Sequence, residues 1–249
     1  MTYDSLPQAY WDEQIARVGA LLDKINANDA PALGRVVPGD EDLAIGGGRR
    51  LDLAVMFLDI SGFSRRRSVT ASEQDMMVRI LSLFFTEMIK IAEDYGGTVE
   101  KNTGDGLMTY FEAEGQEPAS KRALTSAMTM MTANEKLIRP ILLKSRLDPI
   151  EFRVSIDYGP VTVARLGAAR RFNANVAIGS AANFAAKMLA KAKSGEIVLG
   201  SAAYAQLPVA WRDFAGERAV TDTGWSTADA TSMQPYILYR YTGRWKAPL

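Results

Sequence analysis

Apolar residues recur along the chain in two rhythms, one of period two and one of about 3.6 residues, which lay out most of its elements. Between Leu51 and Ile60, Leu51, Leu53, Val55 and Phe57 share one face with Asp59, while Ala54, Met56 and Leu58 line the other. A strand apolar on both faces is covered on both sides, so this segment predicts a central strand. From Ser72 to Tyr95, Met76, Ile80, Leu83, Phe84, Met88 and Ile91 keep helical spacing, and Gly96-Gly97 stops the helix. TVEKNTGDGLMTYF predicts a hairpin of two short strands around Gly104-Asp105-Gly106. A second helix is expected over 117–139, ended by Pro140. Phe152, Val154, Ile156 and Tyr158 alternate in a strand expected to bend at Gly159-Pro160 and then resume. SAANFAAKMLAKAKSG reads as a helix closed by Gly195, EIVLG as the strand after it, and QPYILYRYTGRW as a last strand.

The order β-α-β-β-α-β is that of a ferredoxin-like sheet, an α+β sandwich with helices on one face and further elements after it. Helices on one face only would leave the other to a partner subunit. Upstream, Trp11, Ile15, Val18, Leu21, Leu22 and Ile25 predict an amphipathic helix over about 8–27, which caps the domain or pairs with another subunit. APALGRVVPGDEDLAIGGGRR follows as a linker arm. The chain is thus divided into a helix and arm, 1–49, and a main domain, 50–249. Neither a signal peptide nor a bilayer span is apparent, which predicts a cytoplasmic protein.

Composition narrows the chemistry by what is missing. The 249 residues hold 29 Lys and Arg, 29 Asp and Glu, no Cys and no His. Balanced charge supplies no overall field for nucleic acid or an anionic membrane. Without Cys and His there is no disulfide, thiol nucleophile, Ser-His-Asp triad, histidine base or thiolate- or imidazole-bound zinc. A bound metal would take oxygen ligands, which favours magnesium or manganese.

Asp59 ends the apolar strand, where an acid is costly to bury unless something binds it. In a β-α-β-β unit the end of the first strand lies beside the hairpin that carries Asp105. Two carboxylates at one sheet edge repel, so either one keeps its proton or a divalent cation joins them. Asp105 is equally a common turn residue, and spacing leaves both readings open. The loop Ser61-Gly62-Phe63-Ser64 can cradle phosphate with its N–H groups, or can be a plain strand-to-helix turn.

FLDISGFS, KNTGDGLMTYF, SIDYGPVTVARLG and IGSAANFAAKML stand in this order and resemble four motifs of the class III nucleotidyl cyclases, over about residues 50–200. The resemblance implies a head-to-tail homodimer with two interfacial sites. In each, Asp59, Asp105 and the carbonyl of Ile60 hold two magnesium or manganese ions. One ion activates the ribose 3′-hydroxyl for attack on the α-phosphorus, and the other holds the triphosphate as pyrophosphate leaves. Phe57, Ile60 and the loop Ser61, Gly62, Phe63, Ser64 are implied as nucleotide contacts, and Asn183 as the group that orients the ribose. Lys187 stands where the family has a phosphate-stabilising arginine, keeping the charge without the bidentate fork. Arg171 fits the family's phosphate-binding arginine better than Arg170.

The base-reading positions depart from the family. Lys101 matches adenylate cyclases, but Val176 stands where they have Asp or Thr. Valine cannot accept a hydrogen bond from the adenine amino group, which weakens purine readout. The expectation is cyclisation of UTP ahead of CTP, as in the similar, short pyrimidine cyclases of Pycsar antiphage systems, with a separate effector reading the product. The alternatives are an adenylate cyclase and a degenerate cyclase fold that only binds nucleotide. A palm-type polymerase or dinucleotide cyclase shares the sheet, but lacks SIDYGP and SAANFAAKM in this order.

Overall fold

The computed structural model describes residues 32–33, 43–44, 46–66, 68–102, 104–169, 172–218 and 236–245. The expected helix over 8–27, most of the linker arm, Arg170 and Arg171 lie outside these. Two compact units divide the chain: 52–161 with 179–249, and 1–51 with 162–178.

In the larger unit β2 (Gly48–Ile60) leads to α1 (Ala71–Asp94), the hairpin β3 (Gly97–Asn102) and β4 (Gly106–Phe111), and α2 (Ala119–Ala133). After α3 (Arg139–Lys144) come β5 (Phe152–Ala169), then α4 (Ser180–Leu189), β7 (Ile197–Gly200), α5 (Ser201–Ala205), α6 (Val209–Arg212), β8 (Ala215–Arg218) and β9 (Leu238–Tyr241). The sheet runs β3-β4-β2-β5-β7-β9-β8, so β2 is central, as its two apolar faces predict.

Ala54, Met56, Leu58 and Ile60 form one buried cluster with Ile80, Phe84 and Met88 of α1, Leu124 and Ala127 of α2, and Phe152, Val154 and Ile156 of β5. Each of the larger side chains among these contributes about 1.5–3 kcal/mol. At the start of α1, Glu73 N donates to Thr70 Oγ1 at 3.2 Å and Thr70 N donates to Glu73 Oε2 at 3.0 Å, a reciprocal cap. That cap contributes about 1 kcal/mol, so packing, not capping, holds the helix.

Three expectations are corrected. The helix expected to end before Pro140 instead passes a wide π turn, Asn134–Ile138, and resumes as α3 with the proline in its first turn. A proline there lacks only an N–H that has no helical partner anyway. β5, expected to bend at Gly159-Pro160 and then resume, runs through these residues as one strand. These residues fall after the Ile156 end of its pairing with β7 and before the Thr162 start of its pairing with β6 (Phe172–Ile178), where one edge of β5 needs no donor. Finally, helices do not keep to one face. Ser155, which alternates with Val154 and Ile156, donates from Oγ to Ala185 O at 2.6 Å, so α4 lies against the opposite side of β5. Its alanines at 181, 182 and 185 let it come close. Leu53 and Val55 are also fully buried in a single chain. The sheet alone therefore does not call for a second subunit.

In the smaller unit the far half of β5 pairs antiparallel with β6 (Phe172–Ile178), from Thr162 opposite Ile178 to Leu166 opposite Ala174. Arg165 clamps the approach to β2: its N–H donates to Gly47 O at 3.1 Å and its Nη1 to Leu43 O at 2.9 Å. The short β1 (Ala32–Leu33) pairs in parallel with Arg49 and Arg50.

Candidate active site

The ladder between β2 and β4 sets Asp59 opposite Gly106, and one step on Ile60 N donates to Asp105 O at 2.8 Å. Asp59, Ile60 and Asp105 thus meet at one sheet edge through their backbones. Ser61 N donates to Glu151 O at 2.8 Å, which fixes the exit of β2 against the entry to β5. Gly62 follows at φ 68°, a conformation glycine adopts without cost, and a Cβ there would meet nothing within 4 Å. The space over the loop is open. A cavity of about 540 Å³ adjoins it, lined by Ser61, Gly62, Arg65, Arg66, Met76 and Ile80. Phe63 and Ser64 lie in the 3₁₀ turn that follows, Phe63–Arg65, with Phe63 half-buried and Ser64 exposed.

Asp59 has a partner that the sequence reading did not name. Arg153 donates to Asp59 Oδ2 from Nε at 2.9 Å and from Nη2 at 2.8 Å, while its Nη1 donates to Ala192 O at 3.2 Å. Both side chains are partly open to solvent, Asp59 at 24% and Arg153 at 30%. A signal was present: Arg153, Ser155 and Asp157 put three polar residues on one face of a strand otherwise made of Phe152, Val154 and Ile156. No bond from a described residue reaches Asp59 Oδ1. Two carboxylates and a backbone carbonyl at one edge are hard oxygen donors of the kind that suit magnesium or manganese. Among the described residues no three acidic side chains gather, so phosphate and solvent oxygens would complete such a coordination shell.

Arg153 holds Asp59 in one rotamer at the sheet edge. Were Asp59 to hold a metal ion, Arg153 would be its outer-shell partner, and replacing such a partner typically costs about 10–100-fold in metal affinity or activity. Arg153→Ala is expected to cost this much in an activity titration against manganese, and Arg153→Lys to recover only part of it, because lysine lacks the fork. An unchanged titration would leave the pair with a structural role alone.

Asn183 and Lys187 are both exposed and stand one turn apart on the same face of α4, as their spacing predicts. The structure does not bring them to Asp59. α4 runs antiparallel to β5: Ala181 packs beside Gly159 at one end, and Ala192 accepts from Arg153 at the other. Asn183, midway between Ala181 beside Gly159 and Ala185 on Ser155, therefore sits about level with Asp157, roughly 13 Å along the strand from Arg153 and Asp59 by the usual rise per residue. Lys101 lies on β3 just past a register shift at Val99, in the hairpin that ends at Asp105. Val176 is half-buried on β6 opposite Ala164, in the smaller unit, and Phe57 is half-buried opposite Met108.

The family model of the adenylate and guanylate cyclase catalytic domain matches residues 49–233, and the chain belongs to this family. It is 29% identical over 157 residues to an adenylate cyclase of Mycobacterium tuberculosis, a match covering 63% of this chain and 33% of that one. The chain thus spans about a third of the length of that relative. It is 28% identical over 165 residues to a uridylate cyclase of Rhodovulum sp., covering 62% and 65%. The crystal structure of the adenylyl cyclase CyaB from P. aeruginosa superposes with a TM-score of 0.62 at 25% identity, over 80% of this chain and 97% of that one. Cyclases of this class use divalent metal ions and act on nucleoside triphosphates. No described helix is long and apolar enough to cross a membrane.

Proposed function

We propose that this protein converts a nucleoside triphosphate, UTP ahead of CTP, to its 3′,5′-cyclic nucleotide and pyrophosphate, acting as a homodimer. The observation that carries the reading is the meeting of Asp59, Ile60 and Asp105 beside an open glycine loop. Divalent ions bound there would supply Lewis-acid charge to the phosphates and lower the pKa of the 3′-hydroxyl. Asp59 and Asp105 hold that charge in place, and the N–H groups of Gly62, Phe63 and Ser64 receive the triphosphate, while that of Ser61 stays on Glu151 O. Asn183 and Lys187, from the other subunit, orient the ribose and offset the negative charge. Arg171 adds a second cation.

The base preference rests on Lys101, which can donate to a uracil carbonyl, and on Val176, which cannot accept from an adenine amino group. The likeness to a uridylate cyclase supports it. A cyclic pyrimidine nucleotide made this way would serve as a messenger for a separate effector, in antiphage defence.

The test is incubation with manganese and all four nucleotides at equal concentration, read by mass spectrometry. Cyclic UMP is expected to exceed cyclic AMP. Val176→Asp should raise turnover of ATP, and Lys101→Ala should lower base selectivity more than metal dependence. Fastest cyclisation of ATP would put an adenylate cyclase in its place, and no cyclic product would leave a nucleotide-binding module.

A further inference from the structure

The cyclase reading leaves one buried acid unused. Asp157 is 1% exposed on β5, on the same face as Arg153 and Ser155. Tyr236, 6% exposed, enters just before β9 and reaches the same spot. Their oxygens meet over Gly200 at the end of β7: a Cβ on Gly200 would stand 2.2 Å from Tyr236 Oη and 2.3 Å from Asp157 Oδ1. Only glycine leaves room for them. Neither oxygen has a well-aligned hydrogen bond among the described residues, so each depends on the other and on where a proton sits. The ring of Tyr236 stacks on Phe184, with centroids 4.4 Å apart and planes at 26°. Phe184 is the residue after Asn183 in α4.

We propose that Tyr236 is a positioning residue for Asn183: its hydroxyl, seated against Asp157 over Gly200, fixes the ring that holds Phe184 and with it the first turns of α4. The proposal rests on the role given to Asn183 above. The buried contacts over the first turns of α4 are otherwise small, Ala181, Ala182 and Ala185, with the Ser155 hydroxyl on Ala185 O; the large buried Met188 lies a turn further on. Small side chains let a helix approach a strand but do little to stop it sliding. A large ring anchored at its far end does stop it. A misplacement of about 1 Å at a group that orients substrate can cost about 100-fold in rate.

The anchor depends on pH. Burial pushes the Asp157 carboxyl up from 3.8 to about 7, although the Tyr236 phenol and the N–H groups of Tyr158 and Ala203 pull the other way. The Ser201 hydroxyl lies beyond the phenol, and no lysine or arginine is among the groups acting on Asp157. Because the folded-state value is raised, the folded protein binds a proton that the unfolded chain has released, so stability falls as pH rises from about 4 through 7. Above that range the phenol's bond to the carboxylate is stronger, but the buried charge is costly, so openings that expose Asp157 to water and unseat Tyr236 become easier.

The test uses the full chain and three variants: Tyr236→Leu, which removes the stack; Tyr236→Phe, which keeps the ring and drops the hydroxyl; and Asp157→Asn, which removes the titration. Amide exchange over 180–189 is read without nucleotide, beside kcat and KM with it. Tyr236→Leu should speed exchange in α4 selectively and lower kcat by about 10–100-fold, with KM within about threefold. Tyr236→Phe should fall between it and the unmodified protein. Protection of α4, that is, exchange corrected for its intrinsic rise with pH, should fall from pH 6 to pH 8 in the unmodified protein and hold steady in Asp157→Asn, a contrast that a purely structural contact does not produce. Tyr239→Leu, which breaks the separate Tyr204–Tyr239 stack, serves as the control for general loosening. Exchange that stays unchanged in Tyr236→Leu, or that rises evenly along the chain as in the control, overturns the proposal. An unmodified protein that cyclises none of the four nucleotides sinks the cyclase reading instead, and the two failures are told apart.

Discussion

Asp59→Ala and Asp105→Ala are each expected to reduce cyclic nucleotide formation by about a thousandfold while the protein stays folded. The size follows from the charge each carboxylate holds: losing one ligand forfeits several kcal/mol of charge stabilisation at the phosphates, and roughly 4 kcal/mol is about three decades in rate. The fold should survive because Asp59 is 24% exposed and its partner Arg153 is 30% exposed. An ion pair in that setting contributes only about 0–1 kcal/mol, and the guanidinium keeps Ala192 O and water when the acid is gone. Turnover in saturating manganese, set beside thermal melts of each variant, gives the answer. Either variant retaining more than about a tenth of normal turnover, a loss of under 1.4 kcal/mol, would show that its carboxylate does not hold the metal charge.

Mixing inactive Asp59→Ala with inactive Asn183→Ala is expected to restore about a quarter of normal activity. In the proposed homodimer these residues act from different chains, and along one chain Asn183 stands roughly 13 Å from Asp59 by the rise per residue. In a symmetric dimer each site would take its acids from one subunit and its asparagine from the other. Free exchange makes half of the dimers mixed, and each mixed dimer has one intact site and one doubly broken site, hence the quarter. Mixed dimers seen by native mass spectrometry with no recovered turnover would place both residues in one site of one chain.

How much of this was legible in the sequence depended on how local each feature is. The central strand showed itself because both of its faces are apolar over ten residues, Leu51 to Ile60, and its closing acid stood out against that run. The hairpin and its Asp105 were legible for the same reason. Asn183 and Lys187 could be placed on one helix face from their spacing, but their distance from Asp59 could not, since it depends on α4 running back along β5. Arg153 pairs with Asp59 across 94 residues, and no periodicity encodes which strand lies beside which. Burial of Leu53 and Val55 likewise depends on tertiary cover. The expected stop at Pro140 failed because a wide turn just ahead gave the proline a harmless first-turn position.

The proposed sharing of each site between two chains also bears on when such an enzyme would work at all. If each site needs the acids of one chain and the asparagine of another, a lone chain has no finished site. Well below the dimer dissociation constant, halving the amount of protein would quarter the number of finished sites. Output then rises with the square of expression level, and a cell with few copies stays silent without any inhibitor. The supply of the chain itself becomes the threshold.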